Sequence, residues 1–339
     1  MPFLTGLLLV LLAGLLQGTF ILPMTLVKRW SWEHTWAAFS VLGMFVFNWA
    51  LTMLFVPSAL RVYAASPAKD LATLALFGAG WGVGAILFGL GMDKLGMALG
   101  YPIIMGLIAS LGSFIPLVIF FPQALFSKKG LLLMAGTAIV IVGIMLCSKA
   151  GSGKESAPSE SGKIPEAKGF RIGLLIAILA GVLSCLPNIG VAFSGPVVAA
   201  AEALGVSKTA AGNAVWALLF TFGCVINLAY CAYLMVQRKS LGQFRNEESG
   251  RNLLLSILMA AMWIGSFYLY GAGAARLGRW GVIAGWPLFI SLAIVMGNMW
   301  GLWRGEWRNA RPAARSLLNT GLFILIVAVI LIALSNLLE

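Results

Sequence analysis

Twenty-five consecutive residues, Phe3 to Val27, carry no ionisable side chain. A run of that kind limits the fold more than any motif. About 20 apolar residues in a helix cross the roughly 30 Å hydrocarbon core of a bilayer. Inside that core a helix satisfies every backbone N–H and C=O within one segment. Runs of this kind recur along the chain, at about 3–27, 35–56, 71–91, 96–120, 130–148, 170–193, 210–236, 252–275, 280–303 and 315–338. Composition agrees, with 60% hydrophobic and 10% charged residues, where a soluble domain has about 45–50% and about 25%. The expected fold is an all-α polytopic membrane protein of ten transmembrane helices. No Lys or Arg precedes Lys28 and no small-residue cleavage site follows, so the first run is expected to stay as a span and not to be removed as a signal peptide.

Most connections are short. The exception is Ser148 to Gly169, rich in Ser, Gly, Lys, Glu and Pro, a composition that cannot bury enough surface to order itself. Five spans precede it and five follow. Of the 23 Lys and Arg, 16 fall in loops after odd-numbered spans and 7 in loops after even-numbered ones. The positive-inside rule then places the linker in the cytoplasm and both termini outside. On this reading the net charge of +12 orients the chain in a lipid bilayer and calls for no nucleic-acid partner.

Five spans per half make the halves inverted in the membrane if they are related. Trp81 to Gly96 aligns with Trp263 to Gly278, matching Trp81/Trp263, Gly89/Gly271, Gly91/Gly273, Leu95/Leu277 and Gly96/Gly278. A few residues on, Gly100-Tyr101-Pro102 answers Gly285-Trp286-Pro287. Inverted repeats with Gly/Pro-interrupted helices at matching places mark transporters. The expected organisation is a first five-helix repeat over 1–148, a flexible linker over 149–169 and a second repeat over 170–339. Spacings such as Gly14/Gly18 and Gly78/Gly82 predict close packing of spans 1, 3 and 4. Spans 5 and 10, nearly free of polar groups, face lipid or a second copy.

Polar side chains at membrane depth mark a pathway or bond helices to one another. Gln17, Asn48, Asn188, Asn213, Asn227 and Asn298 lie inside spans, with Ser110, Ser113, Ser184, Ser266 and Ser291. Trp81 and Trp263 lie near span centres, away from the interfacial belts where Trp is usual. Tyr101, Tyr268, Tyr270 and Trp286 sit beside the matched glycines and prolines. Rings flanked by amides, without fixed charge at depth, suit a neutral polyhydroxylated ligand, whose C–H faces stack while its hydroxyls bond. Packing is the other reading of the same rings. No mid-span carboxylate, metal cluster or nucleophile motif supports an enzyme. The best-placed proton carrier is Glu33, in the stretch KRWSWEHTW with His34, the chain's one histidine. A solvated acid at a helix start is the plainer alternative.

KRWSWEHTW (Lys28–Trp36), FGAGWGVGAILFGLGMDKLGMALG (Phe77–Gly100) and GLWRGEWRNA (Gly301–Ala310) resemble segments of the bacterial L-rhamnose–proton symporters, a branch of the drug/metabolite transporter superfamily. The resemblance runs over nearly the whole chain. It implies an inner-membrane carrier of two inverted five-helix repeats, moving L-rhamnose or a related deoxy-sugar with protons and no other cofactor. The residues expected to meet sugar are Gln17, Asn48, Trp81, Tyr101, Asn188, Asn213, Trp263, Tyr270, Trp286 and Asn298; Glu33 and His34 are expected to couple the proton. A drug or metabolite exporter of the same fold and a non-transporting sugar receptor are the rivals.

Overall fold

The computed structural model describes residues 2–154, 167–305 and 307–335. Among these every regular element is helical. Ten segments are long and apolar enough to cross a membrane: Phe3–Leu26, Trp32–Phe55, Ala68–Met92, Ile103–Phe120, Lys128–Gly151, Phe170–Phe193, Lys208–Gln237, Ser249–Arg276, Gly278–Trp303 and Pro312–Leu334. All ten expected runs are present, several beginning two or three residues early because polar residues form the first turn of the helix. The fourth expected run, 96–120, lies within the helix Ala68–Phe120. The expected linker is helical at both ends, through Lys154 and from Ala167; residues 155–166 lie outside the described residues, as does Glu306.

The chain forms two compact units, each drawing on both sides of the linker. One comprises Met1–Val83 and Leu186–Arg279. Its helices are α1 (Pro2–Thr19), α2 (Trp32–Phe39), α3 (Asn48–Phe55), α4 (Ala59–Ala65), the first part of α5 (Ala68–Phe120), then α8 (Leu186–Phe193), α9 (Gly195–Ala203), α10 (Lys208–Ala211), α11 (Ala214–Gln237) and α12 (Ser249–Arg276). Between α2 and α3, Ser40–Phe47 winds as a π-helix, so the second span is one rod with a wider middle. Without a hydrophobic force between helices in lipid, close approach supplies dispersion contacts. Gly78 in α5 is the tightest case: a Cβ there would lie 1.9 Å from Leu219 O of α11. The expected small-residue packing of span 3 is therefore observed.

The other unit comprises Gly84–Cys185 and Trp280–Glu339. It holds the rest of α5, α6 (Lys128–Lys154), α7 (Ala167–Ser184), α13 (Gly281–Trp303) and α14 (Pro312–Ser335). The backbone of α5 is helical throughout, yet α5 is not one rod. A Cβ on Gly100 would lie 3.1 Å from Gly91 O, whereas nine residues of straight helix span about 13 Å. The chain turns back between them, which divides α5 into two spans. Spans 5 and 10 (α6 and α14) pack on one another, with Gly321 against Cys147. Their remaining faces expose Leu131, Met145, Phe323 and Ile330.

Candidate functional site

The stretch that opens the second span builds the most polar interior of the first unit. Glu33 lies in the first turn of α2, where the helix dipole favours an acid. It is nevertheless 0% exposed, not a solvated surface group. Its carboxylate accepts a hydrogen bond at 2.9 Å from Arg238 and a longer one, 3.4 Å, from Ser240 Oγ. Arg238 itself keeps about half of its side chain exposed, at 55%. His34 is also fully buried. Its Nε2 sits 2.9 Å from Ser240 O, an acceptor only, so Nε2 carries the hydrogen. Nδ1 is buried and has no hydrogen-bond partner among the described residues. The Phe244 ring closes over the imidazole edge-on, 4.6 Å between centroids.

Further bonds extend this into a clasp between two segments, 28–34 and 238–252. Ser31 donates both its backbone N–H and its Oγ to Gln243 Oε1, each at 2.8 Å. Asn252 donates to Lys28 O at 2.6 Å and accepts from Lys28 N at 3.3 Å. Each segment contains one non-glycine residue in the left-handed region, Arg29 (φ 57°) and Lys239 (φ 52°). Such residues cost of order 1–3 kcal/mol each and gather at switch regions.

From the clasp an aromatic column leads into the unit. Trp32, 42% exposed, stacks on Trp36 at 5.2 Å; Trp36 meets Phe39 at 5.0 Å, and Phe39 meets Trp263 edge-on at 5.4 Å. Trp36 Nε1 donates to Asn227 Oδ1 at 2.9 Å, which satisfies the indole at depth. Trp263 is buried between Trp81, stacked at 5.6 Å, and Phe220 and Phe267 at 4.7 and 5.1 Å. Trp81 is half-buried and keeps free surface. Further along, Trp216 lies on Phe220, 5.5 Å apart and nearly parallel. Its Nε1 is buried with no partner among the described residues and points toward Gly271.

The amides expected along this path fall into two groups. Gln17 is part-buried and accepts from Ser266 Oγ at 2.8 Å, on the turn that carries Trp263. Asn48 is fully buried, donates to Trp216 O at 2.8 Å and lies against the Tyr268 hydroxyl, which also meets Thr52 at 2.6 Å. Asn188 accepts from Tyr270 OH, and Asn213 is buried at the start of α11. The first unit thus gathers Gln17, Asn48, Trp81 and Trp263 around Phe220 and Trp216. Asn48 and Asn188 bond other helices, as glue does.

The remaining expected residues lie in the second unit. Trp286 donates to Ile108 O at 2.8 Å and packs over Gly112. Asn298 bonds its own helix at Ile294 O, 2.9 Å. Tyr101 is half-exposed beside Phe88. A cavity of about 230 Å³ in this unit is lined by Ser110, Ser113, Phe114, Leu117, Leu133 and Thr137 among others. Both serine hydroxyls turn away from it to backbone carbonyls, of Gly106 and Ile283. Its lining is therefore apolar and ill-suited to a polyhydroxylated ligand.

Sequence reasoning misses Arg238, Ser240, Gln243 and Asn252. Arg238 bears only the signal of an orienting cation, and no local spacing links it to an acid 205 positions away. Trp216 carries a visible signal, an indole inside a span three residues past Asn213, and belongs with the buried tryptophans.

Compared with known proteins, residues 3–337 match the family model described as L-rhamnose-proton symport protein (RhaT). Relatives named L-rhamnose-proton symporter include those of Escherichia coli O1:K1, 28% identical, Shigella boydii serotype 18, 29% identical, and Klebsiella pneumoniae subsp. pneumoniae, 29% identical. Each aligns over 316 residues, 91% of this chain and 91% of the relative. They are named as symporters and not as enzymes. With ten membrane-spanning helices and a family match along nearly its full length, the chain is a multi-pass membrane protein and belongs to the L-rhamnose-proton symport protein family.

Proposed function

We propose that this chain is a secondary active transporter that imports L-rhamnose or a related deoxy-sugar together with protons across a bacterial inner membrane. The observation that carries this reading is the family match from residue 3 to residue 337. A built polar interior in an otherwise apolar chain supports it. Hydrocarbon offers an acid and a histidine no partners, so their burial beside a half-exposed arginine implies use.

Sugar meets Trp81 first, because that ring combines a central position with free surface, and Gln17 lies close along the same path. Trp263, Asn48, Asn188, Asn213 and Tyr270 hold this wall in shape from behind. Tyr101, Trp286 and Asn298 belong to the second unit, where Tyr101 is half-buried and the other two bond within that unit. Proton coupling belongs to the Glu33–His34 cluster, at the cytoplasmic face. The termini are periplasmic, the linker is cytoplasmic, and residues 1–148 and 170–339 are inverted repeats of a drug/metabolite transporter fold joined by 149–169.

Uptake of labelled L-rhamnose into proteoliposomes, with unlabelled sugars competing and with or without a pH gradient, tests substrate and coupling together. Uptake that ignores the gradient overturns the coupling; no competition by deoxy-sugars overturns the substrate. For orientation, a reporter active only in the periplasm is expected to work after Glu339 and to be silent within 155–166.

A further inference from the structure

The clasp holds a fixed amount of charge in a closed space, and its atoms divide the labour of proton coupling more finely than the sequence does. Glu33 is buried and ion-paired, so its charge is already balanced by Arg238. His34 Nε2 is committed to Ser240 O. That leaves Nδ1, a basic nitrogen with no partner among the described residues, as the position open to a proton. Histidine is also the side chain whose charge ordinarily changes between pH 5 and 8. Resting on the transport reading above, we propose that His34 Nδ1 takes the coupled proton and that its arrival expels Arg238, which opens the clasp.

The charges require this exchange. With neutral His34, the ion pair of buried Glu33 and half-exposed Arg238 sums to zero. A proton on Nδ1 raises it to one net positive charge, and uncompensated buried charge is strongly unfavourable. Glu33 and His34 both bond Ser240, at its hydroxyl and its carbonyl, so the imidazolium and Arg238 then share the field of one carboxylate. The imidazolium is fully buried, whereas Arg238 is 55% exposed and reaches water by a rotation of its side chain. Releasing Arg238 restores a neutral interior of Glu33 and protonated His34. Loss of the proton draws Arg238 back and shuts the clasp again.

The surroundings leave few other groups to intervene. From α11, the titratable group in this cluster is Cys231, buried with Ala37 and Met235 beneath Trp36 and Phe244. The loop after α11 adds Arg238, exposed Lys239 and Phe244. From α12, which also packs on α2, come buried neutral Asn252 and Ser256 and the Arg251–Glu248 pair at the rim. The left-handed residues Arg29 and Lys239 flank the clasp on both segments. A second ion pair across the clasp, Arg29–Glu247 at 3.2 Å, is mostly exposed and therefore weak, so it does not hold the segments once the Glu33–Arg238 pair is gone.

The H34Q variant tests the assignment, because a glutamine amide nitrogen reaches the place of Nε2 and keeps the bond to Ser240 O while removing the titrating ring. In proteoliposomes the wild type is expected to accumulate sugar about tenfold per unit of pH gradient, the limit for one proton per sugar. H34Q is expected to retain sugar counterflow and to lose that accumulation. A second readout follows the clasp directly. In a background where Cys231 is the remaining cysteine, its labelling by maleimide is compared between His34 and H34Q proteins at each pH, which cancels the pH dependence of the thiol. The ratio is expected to rise as pH falls from 8 to 5.5.

R238Q provides a further check if H34Q does not fold. With no cation to expel, it is expected to lose gradient-driven accumulation and to label faster than the wild type at pH 8, the ratio of the two falling toward one as pH drops to 5.5. Retained gradient-driven accumulation in H34Q, or a labelling ratio flat with pH in either comparison, overturns the proposal. A wild type whose uptake ignores the gradient while its labelling still depends on pH overturns the transport reading and leaves the clasp assignment standing.

Discussion

Trp81 and Trp263 stack with ring centroids 5.6 Å apart and planes 24° from parallel. They are the two tryptophans that the internal sequence match aligns, and the fold brings them face to face. Their exposure differs: Trp263 is 3% exposed, while Trp81 is half-buried. Trp81→Ala is therefore expected to weaken sugar binding by about 1–2 kcal/mol with little effect on folding. Trp263→Ala is expected to lower stability by about 3–5 kcal/mol, the usual cost of emptying a core ring. Sugar titration and apparent thermal stability in detergent, measured on both variants, separate the roles.

Asn48 joins the second span to α11 and α12 at once, through Trp216 O and the Tyr268 hydroxyl. Asn48→Leu keeps the volume and removes the donor, so a loss of about 1–3 kcal/mol is expected. Tyr268→Phe acts on the same network. The double variant is expected to lose less than the two single losses combined, by about 0.5–3 kcal/mol. Strict additivity in detergent unfolding would show the two to be independent.

Gly78 and Gly89 occupy the same helix and make opposite forecasts. Gly78→Ala places a methyl 1.9 Å from a backbone oxygen of Leu219, which no rotamer relieves. Expression of folded protein is expected to fail. Gly89 has nothing within 4 Å of its added Cβ, and Gly89→Ala is expected to be neutral or stabilising by up to about 1 kcal/mol. Monodisperse yield after extraction reads both.

Tyr63 lies between spans and donates to Ala214 O at 2.8 Å. Burial pushes its phenol well above the ordinary tyrosine value. The unfolded chain gives up this proton first, so the contribution to stability is complete below about pH 10 and is lost as pH rises beyond it. Tyr63→Phe is expected to flatten the alkaline limb of a stability–pH curve and to lower its neutral part by about 0.5–1.5 kcal/mol for the lost bond to Ala214 O.

The spans are legible because the bilayer imposes their length on the sequence locally: no alternative to a helix satisfies the backbone of Phe3–Leu26 in hydrocarbon. The turn within α5 is legible too, from Asp93 and Lys94 between two apolar runs. What joins the helices is not. Glu33 and Arg238, or Asn48 and Tyr268, are about 200 residues apart, and a hydrogen bond between distant helices leaves no periodic trace on either. The asparagines stand out in so apolar a chain, but lining a pathway and bonding a neighbouring helix ask for the same amide. Burial alone parts these meanings, and burial is a property of the assembled helices.

The π-helical segment Ser40–Phe47 lies between two anchors on one rod, the Glu33–Arg238 ion pair before it and the Asn48–Trp216 hydrogen bond after it. Because a helix advances about 100° per residue, the number of residues between the anchors sets the angle at which each faces its partner. Removing one residue from the wide turn would restore an ordinary ladder and improve that segment taken alone. It would also rotate Glu33 relative to Asn48, because a π turn advances less per residue than an α turn and seven α residues do not sweep the same angle as eight π ones, so that one grip has to be released for the other to be kept. The second span is thus keyed at both ends like a shaft between two couplings, and its local irregularity is what keeps them in phase.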